Sequence, residues 1–174
     1  MHYLKLFEPA CGYNFLVEVP TTKVDMDSSS PYSRLFTINE ANTLLPIVRP
    51  TIERILEIIR RLRAKSEIVI RAEQIDPETP NLMRRLQQND EIAGLIKQIN
   101  DAVNEIQQHG CVCKGVEQGL LDFPCLLGEE IVFLCWQYGE PEIAYWHRIE
   151  EGFAGRRPLL DPTVTGSRGG GPLH

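Results

Sequence analysis

Apolar residues recur at steps of three and four from Ile38 to Ile106 and then, from residue 112 onward, crowd into short extended runs. This change of period constrains the fold more than any other feature, because a chain that switches from a 3.6-residue to a 2-residue repeat must lay helices against a sheet. The helical part opens at Thr37, whose hydroxyl can accept from the amide three residues on while Glu40 reaches back, the reciprocal pattern of a capping box. Ile38, Ala41, Leu44, Leu45, Val48, Ile52, Ile55, Leu56, Ile59 and Leu62 then hold one stripe, and the spacing predicts a helix to about residue 72. Pro46 and Pro50 each remove an amide donor and crowd the preceding turn, which predicts a kink or a broken first segment near residues 45–49.

Residues 75–80 contain Asp76, Pro77, Thr79 and Pro80 and turn the chain. A second stripe through Leu82, Leu86, Ile92, Leu95, Ile96, Ile99, Val103 and Ile106 predicts one helix ending at Gly110. Residues 49–71 carry seven Lys/Arg against three Asp/Glu, and residues 73–105 carry three against seven, so the two helices suit an antiparallel hairpin over 37–109. Exposed pairs contribute only ~0.2–1 kcal/mol each, which leaves most of the stabilisation to the buried stripes.

Beyond Gly110, Val and aromatic residues concentrate in 112–123, 130–138 and 142–149, with turn residues Pro124 and Gly128 in one gap and Gly139, Glu140 and Pro141 in the other. Three strands in a meander over 112–149 follow. The fold class is α+β: a long antiparallel helical hairpin packed on a small three-stranded antiparallel sheet. The middle strand, 131–136, is apolar at consecutive positions and so calls for cover on both faces, by the hairpin on one and by a terminal segment or a second subunit on the other. A homodimer is expected on that ground.

The folded unit is placed at residues 34–160. Residues 1–33 read as a mostly flexible extension, with a possible strand at 15–19 and a linker of Asp25, Asp27, three serines and Pro31, and Met26 offers an alternative start. Residues 161–174, with three consecutive glycines, read as a disordered tail. A charge of −6 and a pI near 5.3 argue against nucleic-acid binding by overall positive charge, and the basic stripe Arg60, Arg61, Arg63, Lys65 has no interleaved aromatics to stack bases, so it reads as a solvated helix face. The longest apolar runs, 44–48 and 131–136, fall far short of the ~20 residues of a membrane span, and Glu8, Pro9 and Gly12 interrupt any export signal. Five scattered cysteines in a chain of this size suit reduced thiols and a cytoplasmic protein.

Three groupings bear on chemistry. Cys111 and Cys113, with His109 before them and Cys125 and Cys135 on later strands, offer soft metal ligands, but only one close pair exists where zinc ribbons present two, and structural thiols fit better. The second grouping is Asp122, Glu130, Glu140, His147 and Glu150. A turn centred on Gly139 and Glu140 sets His147 opposite Val132, with Asp122 within a residue of that level. An odd first loop then puts Asp122 and His147 on one face and an even loop puts them on opposite faces, since side chains alternate. One imidazole with two or three carboxylates suits zinc, manganese or iron with an open position for water, Glu140 being the weaker member at the hairpin tip. The competing role for His147 is a hydrogen-bonded histidine at a sheet end. The third grouping, Gly152 to Pro158, lacks the strand and helix of a phosphate loop and reads as a closing turn with Arg156 paired to an internal acid. No nucleophilic triad is recognisable.

Taken together, FTINEANTLLP (36–46), GLLDFP (119–124), VFLCW (132–136), GEPEIAYWH (139–147) and GFAGRRPL (152–159) resemble a bacterial family known only as a domain of unknown function, with members also in cyanobacteria. The resemblance spans about 36–159. It implies a small cytosolic protein with a long helical pair and a compact β region, and polar motif positions at Glu40, Asn42, Asp122, Glu140, His147, Glu150 and Arg156. The extension before residue 34 departs from the family's usual start. Two functions follow as expectations: an interaction or scaffold homodimer, and a divalent-metal protein or metal-dependent hydrolase using His147, Asp122 and Glu150 with a bound water.

Overall fold

The capping box at Thr37 starts a single unbroken helix, α1 (Ile38–Ala72), in a computed structural model that describes residues 32–159 in full and the backbone of residues 2–5 and 16–19. Thr37 Oγ1 accepts from Glu40 N at 3.2 Å, and Thr37 N donates to Glu40 Oε2 at 2.8 Å. Pro46 and Pro50 lie inside α1, so of the kink or broken segment expected near 45–49 the broken segment is corrected to a continuous helix. The two prolines stand four residues apart on the exposed side, where the carbonyls they deprive of a partner can meet water.

The second helix is in two pieces, α2 (Leu82–Leu86) and α3 (Asp90–Gln108), where the sequence pattern predicted one. Asn89 is the reason: its side-chain oxygen accepts from the amides of Glu91 and Ile92, each at 3.2 Å, and so begins a new helix. From there α3 runs antiparallel to α1, with Arg54 paired to Glu105 at 2.5 Å near one end and Lys65 paired to Glu91 near the other. Along this stretch Ile52, Ile55, Ile59 and Leu62 of α1 and Ile92, Leu95, Ile99 and Val103 of α3 are buried in one core.

The sheet has five strands rather than the three expected: β3 (Val112–Gly115), β4 (Leu120–Leu127), β5 (Glu130–Gln137), β6 (Tyr145–Arg148) and β7 (Arg157–Pro158), neighbours in that order and all antiparallel. The first expected strand is split by a 3-10 turn, Val116–Gln118, and by Gly119 at φ 63°, where a Cβ would stand 2.5 Å from that of Tyr138. The last strand is too short to show any period. Pro124, expected in a turn, lies within β4; its carbonyl accepts from Phe36 N at 2.7 Å on the side beyond the end of β3, so its missing amide is not needed by β5. The turn falls instead at Gly128 and Glu129, between the paired residues Leu127 and Glu130, with Gly128 at φ 66°.

β1 (His2–Lys5) and β2 (Leu16–Val19) form a separate two-stranded pair, which gives the possible strand at 15–19 a partner. The rest of the 1–31 extension and the tail from residue 160 lie outside the described residues. Among the described residues no helix is long and apolar enough to cross a membrane.

Register decides what the sheet shows on each face. Leu121, Phe123, Cys125, Val132, Leu134, Trp136 and Trp146 face the helices and join their core. The alternate residues Asp122, Phe133, Cys135 and His147 point the other way and are nevertheless buried. Part of their cover is Tyr32, whose ring meets Phe133 edge-on at 5.4 Å.

Candidate metal centre

Three adjacent strands bring Asp122, Cys135 and His147 together on the outer face. Asp122 on β4 is paired with Cys135 on β5, and His147 on β6 is paired with Phe133, two residues along β5 from Cys135. The first loop is even, which under the expected register would have separated Asp122 from His147. His147 is opposite Phe133, however, not Val132, and this one-residue shift turns the imidazole to the side of Asp122.

One donor atom from each of the three residues lies within 4.8 Å of the other two, and each residue is almost fully enclosed. His147 Nδ1 is 2.7 Å from the carbonyl oxygen of Arg148, which can only accept, so Nδ1 carries the proton and donates there. Nε2 is then 3.3 Å from Asp122 Oδ1. A bare lone pair facing a carboxylate is repulsive, so a proton or a cation belongs between them. Burial opposes charge on the imidazole, but the hydrogen bonds to Asp122 and Arg148 and the charge of Asp122 outweigh it and raise the His147 pKa. Burial first and Asp122 second push the Cys135 thiol up to about 12, so without a cation it is an inert S–H rather than a nucleophile.

The other expected site residues are elsewhere. Glu140 accepts from Arg156 Nη2 at 2.7 Å through both carboxylate oxygens and from Gln137 N at 2.8 Å, while its backbone carbonyl accepts from Trp136 Nε1 at 2.9 Å. It closes the β5–β6 connection and cannot also reach His147. Glu150 is exposed in the turn after β6, and Glu130 is paired with Arg148. Asn42 Oδ1 accepts from Ile143 N at 2.8 Å and ties α1 to the same connection; Glu40 serves the helix cap. Arg156 also lies over the rings of Tyr145 and Phe153, at 4.2 and 4.8 Å.

The third donor, Cys135, came from the thiol grouping set aside for poor spacing. Cys113 and Cys125 face the helical core and Cys111 precedes β3, so the thiols do not converge; one of them joins the histidine and the carboxylate instead. Strand alternation held the signal, since Cys135 is two residues from Phe133 and so shares its face. Asp, Cys and His are the ligand types zinc and related transition metals accept. Tetrahedral donors at ~2.0–2.3 Å from an ion stand about 3.3–3.8 Å apart, so the 3.3 Å between His147 Nε2 and Asp122 Oδ1 already suits an ion, and the widest spacing, within 4.8 Å, needs to close by at most about 1 Å.

A family model described as Uncharacterized conserved protein (DUF2203) matches residues 34–159, and the chain is a member of that family. No curated protein and no solved structure matches the chain.

Proposed function

We propose that this protein binds a divalent transition-metal ion, zinc by ligand type, through Asp122 carboxylate, Cys135 thiolate and His147 Nε2. The observation that carries the reading is the His147 tautomer: with Nδ1–H committed to the Arg148 carbonyl, Nε2 presents its lone pair toward the carboxylate and the thiol. An ion of charge +2 neutralises one carboxylate and one thiolate, which suits burial better than any of these charges alone. Three protein ligands leave a fourth position for water, as in hydrolytic zinc sites, but the enclosure of all three favours a site that holds its ion over one that turns over substrate.

The test is elemental analysis of untagged protein, followed by cobalt(II) titration of the metal-free form. The expected result is one equivalent of metal, a thiolate-to-cobalt absorption band, and losses in His147→Ala, Cys135→Ala and Asp122→Ala larger than the ~10–100-fold caused by removing a supporting residue. No metal above background together with no cobalt band would remove the reading.

A second reading, an interaction or scaffold protein acting as a homodimer, is favoured by exposed Leu126 and Ile149 at one end of the sheet, 54% and 41% accessible. Leu126→Glu would abolish a dimer seen by light scattering; a monomeric wild type at tens of micromolar concentration would count against it.

A further inference from the structure

A neutral imidazole has one proton, and His147 offers it two acceptors: Arg148 O at 2.7 Å from Nδ1, and Asp122 Oδ1 at 3.3 Å from Nε2. Hydrogen bonds to an ionised group are roughly twice as strong as neutral ones, so at equal distance the carboxylate would take the proton. The neutral carbonyl wins only while it is held at the shorter distance.

Residues 148–151 form the turn that holds it. Glu151 N donates to Arg148 O at 3.2 Å. The Glu151 carboxylate closes the turn from the other side, where Oε2 accepts from Arg148 N at 3.4 Å and Oε1 accepts from Arg157 Nη2 at 2.6 Å. Arg157 is on β7 and is paired with Trp146, the neighbour of His147 on β6, so the carboxylate ties the turn to the sheet. Gly155 makes room for it. The backbone there is outside the left-handed region, yet a Cβ would stand 2.4 Å from that of Glu151 and 3.0 Å from its Oε2. The GFAGRRPL segment thus does more than close the chain around Arg156, because Gly155 and Arg157 both converge on Glu151.

We propose that Glu151 is a positioning residue for His147: by pinning the 148–151 turn it keeps the Arg148 carbonyl on Nδ1–H and the Nε2 lone pair turned toward Asp122 and Cys135. Its bearing on metal rests on the proposed metal function, because a nitrogen that carries a proton cannot ligate an ion. The tautomer itself is a property of the metal-free chain.

NMR of the imidazole nitrogens tests this in full-length, chelator-treated, histidine-labelled protein at alkaline pH, where the ring is neutral and the ratio of tautomers is read directly. Comparison with His147→Ala identifies the His147 signals among the four histidines. Glu151→Ala should raise the ratio of Nε2–H to Nδ1–H about fivefold, the size expected from loosening one hydrogen bond. Gly155→Ala, which keeps the carboxylate but displaces it, should do the same. Glu151→Gln, which keeps an acceptor for Arg148 N, should change the ratio less. Thr37→Ala loosens the fold at the cap of α1 and should leave the ratio alone. Ratios within about twofold of wild type in both Glu151→Ala and Gly155→Ala overturn the proposal. So does an equal change in Thr37→Ala, which would make the effect one of general stability. In cobalt titration Glu151→Ala should bind about 10–100-fold more weakly, the loss typical of an outer partner of a ligating histidine. A wild type that takes up no cobalt removes the metal reading alone, since the tautomer is read without metal.

Discussion

A single guanidinium nitrogen of Arg156, Nη2, lies 2.7 Å from both carboxylate oxygens of Glu140, and the same nitrogen reaches the carbonyl of Cys135 at 3.3 Å. The pair is 13% and 23% exposed, enclosed enough that losing one partner strands the other. Glu140→Ala should therefore lower stability by ~2 kcal/mol in urea unfolding, and Glu140→Ala/Arg156→Ala should cost less than the sum of the single changes. Arg156→Lys should not restore the loss, because an ammonium cannot stack on Tyr145 and Phe153 as a planar guanidinium does.

The Asp122–His147 contact should be measurable without metal. Asp122→Ala leaves Nε2 of a buried imidazole unpartnered, which predicts a loss of ~1–3 kcal/mol in chelator-treated protein. Adding His147→Ala should then cost little more, a coupling that unfolding of the two singles and the double reads directly. Full additivity would show that the groups do not interact.

At the start of α1 the reciprocal Thr37–Glu40 bonds satisfy amides that an alanine would leave exposed. Thr37→Ala should cost ~1 kcal/mol, which for a chain of this size is a fall of about 2–4 °C in Tm by calorimetry.

Glu105 supplies the pH dependence of the hairpin. Hydrogen bonds from Thr51, then Arg54, hold its pKa below the ordinary 4.5, so the folded state binds the proton less readily than the unfolded chain. Its contribution is present above 4.5 and is lost as pH falls through the depressed folded value. The stability difference between wild type and Glu105→Gln should shrink from pH 7 toward pH 3 in urea titrations. A difference that stays constant would show that the charge of Glu105 does not matter.

The helical stripe and the capping box were legible because they depend on neighbours within one turn. The same rule read Pro46 and Pro50 as a kink or a break, yet both lie on the exposed side and α1 runs on without a break. In the sheet, the strand at 131–136 and its need for cover on both faces were plain from its consecutive apolar residues, but register was not. His147 sits opposite Phe133 rather than Val132, and that single residue decides which face it joins. Cys135 was hidden for the same reason, since a buried cysteine looks like any small apolar residue until the strand beside it places a carboxylate on its face. Of the polar motif positions, Glu40, Asn42, Glu140 and Arg156 hold the fold together, a distinction from Asp122 and His147 that residue type alone cannot draw.

Proline within β4 has a consequence for how molecules of this protein can meet. Where β3 stops, the free margin of β4 has no amide at residue 124, and the carbonyl there is already taken by Phe36. The border strand β7 is two residues long and also ends in proline. Neither of these two stretches offers the ladder of donors and acceptors that an incoming strand needs, so fibril-like annealing is discouraged along them.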